Sequence, residues 1–320
     1  MKKILANDGI SAAGKKKLQE NGFEVVTENV PQENLIEVIN EVGYEALLVR
    51  SATTARKELI DACPKLSFIG RGGVGMDNID VAYAREKGLT VANTPAASSD
   101  SVAELVMGQL YTMARFLQDA NRHMPTEGAT QFGALKKKYA KGIELGGKTL
   151  GVIGIGRIGQ ATAKLAIGAG MRVIAYDPIS DIKEIELHIH GLGKVKAPIE
   201  RTDLKGLLAE SDFITLHVPK QADGSAVIGE DELKLMKKGA SLVNAARGGV
   251  VNEESLLKAL DSGQLSYAAL DVFDNEPTPS KDILSHPKLS LTPHIGAATL
   301  EAQDRIGVEL ADQIIAHFGS

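Results

Sequence analysis

Short apolar runs alternate along the chain with amphipathic stretches, a rhythm that predicts parallel β-strands joined by crossover helices. "KKILA" and "FEVVTE" read as the first two strands, with "SAAGKKKLQENG" as a helix between them that Gly22 stops. "PQENLIEVINEV", "EALLVRS", "ARKELIDAC" and "LSFIGRGG" continue the alternation to about residue 73, and "GLTVANTP" is a last strand ending at Pro95. From Ser101 the pattern changes. "SVAELVMGQLYTMARFLQDANR" places Val102, Leu105, Val106, Leu110 and Met113 on one stripe, which predicts a single long helix crossing between domains.

A fresh strand-helix-strand unit then starts with "KTLGVIGIGRIGQATAKLAIGAG" and "MRVIAYD". Three more strands, "DFITLHVP", "SLVNAARG" and "YAALDVF", each follow a helix, and "LEAQDRIGVELADQIIAHF" is a final helix expected to return to the first domain. The expected organisation is a discontinuous domain of residues 1–98 and 293–320 with a second domain, 99–292, inserted into it. Residues 185–198, "IELHIHGLGKVKAP", alternate like a hairpin around Gly191-Leu192-Gly193. His188 and His190 share a strand face there, but no further ligand lies nearby in sequence, so a solvated hairpin and no metal are expected.

A length of 320 residues suits two domains of roughly 150 each. With 43% hydrophobic and 24% charged residues the chain is an ordinary soluble globular protein without long disordered segments. The net charge of -5 gives no support for a nucleic-acid or anionic-membrane partner. Cys63 is the only cysteine, which excludes an intrachain disulfide and a cysteine-rich zinc site and fits a reducing compartment. The apolar stretch before Asn7 is too short for a secretory signal, and no segment approaches the ~18 apolar residues of a membrane span, so the cytosol is expected.

"GVIGIGRIGQATA" carries Gly154, Gly156 and Gly159 directly after an apolar strand and at the start of a helix. In a dinucleotide site the first glycine permits the tight turn, the second admits a pyrophosphate to the backbone, and the third lets helix and strand pack closely. The helix N-terminus supplies N–H groups for the anion. Asp177 ends the next strand 18 residues after Gly159. A carboxylate at that place binds a ribose 2′-hydroxyl and repels a 2′-phosphate, so NAD is expected over NADP.

Oxidising an alcohol beside a carboxylate needs a cation for the carboxylate and a base for the hydroxyl proton, while NAD accepts the hydride. Arg247 interrupts a strand-to-helix turn, and the flanking Ala245, Ala246, Gly248 and Gly249 leave room for a flat nicotinamide. Among seven histidines, His294 lies just beyond a strand and before small residues, where a side chain can face a cleft. Glu276 likewise follows a strand end, and a carboxylate beside imidazole orients the ring for proton exchange. His217, with Pro219 after it, reads as the cofactor's rim.

"GVIGIGRIG", "NAARGGVVNEESLL", "ALDVFDNEP" and "TPHIGAATLEAQ" resemble, in order and spacing, the signatures of the NAD-dependent D-2-hydroxyacid dehydrogenases. The resemblance covers essentially the whole chain, because "LLVRSAT", "GRGGVGMDNID" and "NTPAASSDSVAEL" look like that family's first domain. It implies a doubly wound α/β Rossmann cofactor domain inserted into a flavodoxin-like substrate domain, in a homodimer or larger homo-oligomer. It implies that Arg247 holds the substrate carboxylate and carbonyl and that Glu276 and His294 are the acid-base pair. Arg157 and Ile158 would line the pyrophosphate, Asp177 the adenine ribose, and Asp271 and Gly296 the nicotinamide side. Backbone N–H groups of Gly73, Val74 and Gly75 would help hold the carboxylate, and Arg50 with Ser51 would meet a substrate phosphate.

Within the family, "VRSAT" and "GRGGVGMDNID" are most similar to the branch that oxidises D-3-phosphoglycerate to 3-phosphohydroxypyruvate, the first step of phosphorylated serine synthesis. Three departures bear on substrate. The chain stops at Ser320, so no carboxy-terminal serine-binding domain is expected. Trp is absent, and "FGALKKKYAKGIEL" replaces an aromatic and arginine-containing segment. "NTPAASSDS" lacks the Gly-Asn that often follows this proline. Lys136, Lys137, Lys138 and Lys141 form a basic run that reads either as a solvated face or as a phosphate contact. Reduction of glyoxylate, hydroxypyruvate or another D-2-oxo acid stays open as an alternative, and so does a dinucleotide-sensing scaffold like the related corepressors. Formate oxidation fits less well, because this chain keeps Glu276 at the acid position.

Overall fold

The computed structural model describes residues 1–319 and divides into two compact units. One comprises Met1–Ser101 and the chain from Ala297 onward; the other is Val102–Gly296, inserted between those segments. These boundaries fall a few residues downstream of the sequence expectation.

In the first unit β1 (Lys3–Ala6), β2 (Glu24–Val26), β3 (Ala46–Val49), β4 (Phe68–Arg71) and β5 (Thr90–Asn93) form one sheet in the order β2-β1-β3-β4-β5. Every pairing is parallel. This is the flavodoxin-like order. Strands such as β3, buried at all four residues, read as unbroken apolar runs because helices cover both faces. The connecting helices are α1 (Ala12–Glu20), α2 (Leu35–Val42), α3 (Lys57–Ala62) and α4 (Val81–Glu86). Ser11 caps α1 by accepting the Gly14 N–H at 3.2 Å. The last helix of the chain, Leu300–Phe318, packs on α1 so closely that a Cβ on Gly14 would collide with the backbone of Gly307.

The second unit begins on α5 (Ser99–Arg115), which starts in the first unit's segment, and continues with α6 (Leu117–Lys138). Its sheet contains β6 (Thr149–Ile153), β7 (Arg172–Tyr176), β10 (Glu200–Arg201), β11 (Phe213–Leu216), β12 (Ala240–Asn244), β13 (Leu265–Leu270) and β14 (Leu289–Leu291). The order is β10-β7-β6-β11-β12-β13-β14, all parallel. The chain runs outward from β6 to β10 and then returns to the other side of β6 at β11. A doubly wound sheet opens its ligand crevice beyond the carboxyl ends of the strands at such a reversal. Alternate strand residues feed the two faces: Ile153, Leu216, Leu242 and Leu270 join one core, and Val152, Val243 and Ala269 the other. Residues Glu184–Ile189 (β8) and Gly193–Pro198 (β9) pair antiparallel as the hairpin read from sequence.

The single helix expected from Ser101 is two helices. Phe116 takes a left-handed conformation, φ 56°, and α6 then runs on through Pro125 to Lys138 with a kink at Gln131. A hydrophobic stripe does not encode such a break, because the groups that hold it are distant in sequence. The Phe116 ring lies 5.6 Å from that of Tyr267 and 6.3 Å from that of Tyr139. Asp119 accepts from Tyr139 Oη at 2.8 Å and pairs with Lys138 Nζ at 2.9 Å, tying the end of α6 back to its first turn. Among the described residues no helix is long and apolar enough to cross a membrane.

Candidate active site

The three glycines after β6 occupy three different surroundings. Gly154 has φ 91°, and a Cβ there would lie 2.6 Å from the His217 carbonyl oxygen. Gly159, in α7 (Arg157–Gly168), packs so tightly that a Cβ would collide with the Gly154 carbonyl. A Cβ on Gly156 would meet none of the described residues beyond its chain neighbours within 4 Å. The first and third glycines therefore pack protein on protein, while the second leaves its backbone open to a ligand. Arg157 and Ile158 open the helix, whose first turn carries no acidic side chain. This donor set and this gap fit a pyrophosphate.

Asp177, just past β7, binds the turn directly: Oδ2 accepts the Ile155 N–H at 2.9 Å, and Oδ1 accepts those of Ile179 and Ser180, each at 2.9 Å. Burial opposes its ionisation, but those three N–H groups outweigh it and hold the carboxyl below the usual range. His217 follows β11 on the other side of the turn, with Pro219 exposed beyond it. Its Nε2 lies 3.1 Å from Thr215 Oγ1, and its Nδ1 is buried without a hydrogen-bond partner among the described residues. Burial pushes the imidazole down to about 3, so it is neutral.

Arg247 sits in a turn braced by Asn244. That side chain donates to the Arg247 carbonyl at 2.9 Å and accepts the Ala246 N–H at 3.1 Å. Arg247 Nη1 donates to the Ala246 carbonyl at 2.6 Å. Gly248 lies against the Phe273 carbonyl, where any Cβ would collide, and the Gly249 N–H donates to Asp274 Oδ1 at 2.5 Å. The turn bearing Arg247 is thus packed on the segment that carries Glu276. Glu276 Oε1 accepts the Phe273 N–H at 2.9 Å, and Oε2 lies 2.7 Å from His294 Nδ1. With Nδ1 held by the carboxylate, Nε2 is the ring atom left to exchange a proton.

His294 has φ 54°, a left-handed conformation that few residues other than glycine adopt. Asp271, at 3% exposure, holds it there. Its Oδ1 accepts from Thr292 Oγ1 at 2.6 Å and from the Ile295 N–H at 2.9 Å, and Oδ2 accepts the Gly296 N–H at 2.8 Å. Both sides of the histidine are fastened to one buried carboxylate. Asp271, expected beside the nicotinamide amide, is first of all the clamp of the His294 loop.

In the first unit, Asp8 Oδ2 accepts the N–H groups of Arg50 at 2.6 Å and Thr53 at 3.0 Å, and Asn78 Nδ2 donates to the carbonyls of both. Asp8 and Asn78, missed in the sequence reading, therefore shape the loop that presents Arg50 and the exposed Ser51. The Arg50 guanidinium has no partner among the described residues. Gly73 corrects an expectation: its N–H already donates to the Arg71 carbonyl at 3.0 Å, so it is not free for a carboxylate. Gly73 contributes its φ of 145° instead, and the N–H groups of Val74 and Gly75 make no hydrogen bond among the described residues. Lys141 is a second correction. It lines a cavity with Met113, Phe116, Lys237, Lys238 and Tyr267, at the amino ends of β11, β12 and β13. Arg247 and Asp271 follow the carboxyl ends of those strands, so one chain does not bring Lys141 to them. Among the described residues no group of three or more His, Cys, Asp or Glu side chains could hold a metal.

The family described as D-isomer specific 2-hydroxyacid dehydrogenase, NAD binding domain, matches residues 107–296. The chain belongs to this family. It is therefore an NAD-dependent oxidoreductase of the D-2-hydroxyacid dehydrogenases, and the second unit is its NAD-binding domain. A hydroxypyruvate reductase from Thermotoga maritima is 42% identical, with 94% of this chain and 93% of that protein aligned. A D-3-phosphoglycerate dehydrogenase from Methanocaldococcus jannaschii is 43% identical over 98% of this chain but 57% of its own length. The chain thus spans little more than half of the phosphoglycerate dehydrogenases it matches. Among solved structures, an NADPH-dependent glyoxylate/hydroxypyruvate reductase from Sinorhizobium meliloti, in complex with NADP and malonate, aligns with TM-score 0.78 at 26% identity, covering 100% of this chain and 94% of that one.

Proposed function

We propose that this dehydrogenase oxidises D-3-phosphoglycerate to 3-phosphohydroxypyruvate, with Arg247, Glu276 and His294 as its catalytic residues. The observation that carries the chemistry is the 2.7 Å pair of His294 Nδ1 and Glu276 Oε2 on a segment packed against the Arg247 turn. His294 Nε2 takes the C2 hydroxyl proton, and Glu276 stabilises the imidazolium that forms. Arg247 pairs with the substrate carboxylate and with the oxygen that becomes a carbonyl. NAD, when bound, supplies the acceptor for the hydride leaving C2. In the NAD-binding domain the glycine turn, Arg157, Ile158, Asp177 and the rim at His217 and Pro219 would hold the dinucleotide, with Ala245, Ala246 and Gly296 on its nicotinamide side.

The phosphate ester is favoured by Arg50. Its backbone is fixed by Asp8 while its guanidinium has no carboxylate partner among the described residues, so a phosphate would complete it. The open N–H groups of Val74 and Gly75 suit the substrate carboxylate. A second reading, reduction of hydroxypyruvate, is favoured by the Thermotoga maritima relative, which this chain matches over nearly its full length. Steady-state kinetics of the purified protein with D-3-phosphoglycerate and NAD, and with hydroxypyruvate and NADH, decide between them. Arg50→Ala should raise KM for phosphoglycerate at least about tenfold and leave that for hydroxypyruvate unchanged. A higher kcat/KM for hydroxypyruvate, insensitive to Arg50, would favour the second reading. A homodimer or larger assembly in a reducing cytosol belongs to the same proposal. It is supported by Tyr111, Leu117, Met124 and Phe132 exposed along α5 and α6, and light scattering tests it.

A further inference from the structure

The fold alone does not choose a coenzyme: the family is described by its NAD-binding domain, while the Sinorhizobium meliloti neighbour holds NADP. A carboxylate after the second strand selects NAD only if it is held where the ribose diol arrives, and an arginine nearby ordinarily accommodates a 2′-phosphate. This chain has both. Arg201, in the short edge strand β10, is paired with Ala175 of β7, two residues before Asp177. Its Nη2 donates to the Asp177 carbonyl at 2.7 Å and to the Ser180 carbonyl at 3.0 Å, and Nη1 reaches the Ile182 carbonyl at 3.5 Å.

Three carbonyls of one loop thus turn towards one cation. The Asp177 carboxylate fastens the same loop from its other face, through the Ile179 and Ser180 N–H groups, and joins it to the glycine turn through that of Ile155. A carboxylate offers about four lone-pair sites. Ile179 and Ser180 fill those of Oδ1, Ile155 takes one on Oδ2, and a single Oδ2 site remains for a hydroxyl. Between this loop and Arg201 the chain makes the excursion of the β8–β9 hairpin, closed at its base by Ile199 N–H to the Lys183 carbonyl at 2.7 Å. Without the guanidinium, the loop that aims Asp177 would have a fifteen-residue hairpin at one end and no charge-assisted bonds to its carbonyls.

We propose that Arg201 is the positioning residue for coenzyme choice: it locks the Asp177–Ile182 loop so that Asp177 Oδ2 meets the ribose hydroxyl. Held by loop carbonyls, its own charge is not free to receive a 2′-phosphate. The inference rests on the reading of Asp177 as the ribose carboxylate. Arg201 touches neither substrate nor the reacting end of the coenzyme, so it acts on affinity and selectivity and leaves the chemical step alone.

The test uses the full chain and the variants Arg201→Met, Arg201→Lys and Asp177→Asn, with three readouts. Calorimetry should give Kd for NAD raised about tenfold in Arg201→Met and by less in Arg201→Lys, whose single ammonium cannot serve three carbonyls. Hydrogen exchange of the coenzyme-free protein should show the Ile179 and Ser180 amides exchanging at least about tenfold faster in Arg201→Met, with the strand amides of β6 and β11 unchanged. In assays, KM for NAD rises and the NAD-to-NADP ratio of kcat/KM falls about tenfold or more, while kcat at saturating NAD stays within about twofold. If Asp177→Asn weakens NAD binding but Arg201→Met changes neither affinity nor exchange, Arg201 has no positioning role. If Asp177→Asn itself leaves NAD binding unchanged, the ribose reading fails and the proposal falls with it. Should Arg201→Met not fold, Arg201→Lys carries the same comparisons, and wild-type Kd and exchange in that variant overturn the proposal.

Discussion

His294 Nδ1 lies 2.7 Å from Glu276 Oε2, and the other oxygen of Glu276 is fixed by the Phe273 N–H. The carboxylate is thereby held at both ends: one oxygen orients the side chain and the other orients the ring. Glu276→Gln removes the charge that stabilises an imidazolium and should lower kcat by about 10²-fold; His294→Gln removes the proton acceptor and should lower it by about 10³-fold. Both variants should bind NAD with wild-type affinity, because neither residue touches the glycine turn. Stopped-flow turnover and calorimetric NAD titration check the two halves separately, and a large loss of NAD affinity in either variant would place the pair elsewhere in the mechanism.

Gly156 and Gly159 differ in what surrounds them, so the same substitution should do different things. A Cβ on Gly156 enters open space. Gly156→Ala should keep wild-type thermal stability while raising KM for NAD several-fold, because the methyl stands where the pyrophosphate approaches the backbone. A Cβ on Gly159 collides with the Gly154 carbonyl. Gly159→Ala should cost about 1–3 kcal/mol of stability, the usual range for overpacking, whether or not coenzyme is present. Thermal melts with and without NAD separate these outcomes.

Much of this architecture was legible in the sequence because strand burial and helix amphipathicity are local properties. The alternation of apolar runs and helices, the glycine turn, and the carboxylate closing the next strand all lie within short windows. What stayed hidden depends on partners far along the chain or on backbone atoms that any residue supplies. The break at Phe116 is held by Tyr267 and Tyr139, and nothing in the hydrophobic stripe marks it. Arg201 was invisible as a functional residue because its partners are carbonyls, which carry no sequence signature. Lys141 failed for a related reason: a basic run says nothing about which end of a parallel sheet it will reach. Asp271 was found, but its bonds to the loop of His294 were not, since only the fold shows three donors of that loop converging on its carboxylate.

Asp271 yields a prediction from those three bonds. All three of its partners are donors, two N–H groups and a hydroxyl, so an amide NH2 in place of either oxygen would face a donor. Asp271→Asn should therefore destabilise the folded protein by about 1–3 kcal/mol and release the left-handed His294. Activity should fall mainly in kcat, with KM for NAD changed less. The reverse pattern, a raised KM for NAD with intact kcat and stability, would return Asp271 to a direct role at the coenzyme.

His217 should leave a mark on the pH dependence of stability. Burial holds its folded value at about 3, against about 6.5 for an exposed imidazole. Between those values the unfolded chain binds a proton that the folded chain does not, so stability falls as pH falls. Its contribution is complete above about pH 6.5 and is lost on the way down, at a slope approaching about 1.4 kcal/mol per pH unit. His217→Asn keeps a polar group for Thr215 and removes the titration. Urea melts at about pH 5 and about pH 7.5 should show the wild type losing about 2 kcal/mol more than the variant over that interval. Parallel losses in the two proteins would mean that the ring is protonated in place, through a partner for Nδ1 that water or coenzyme supplies.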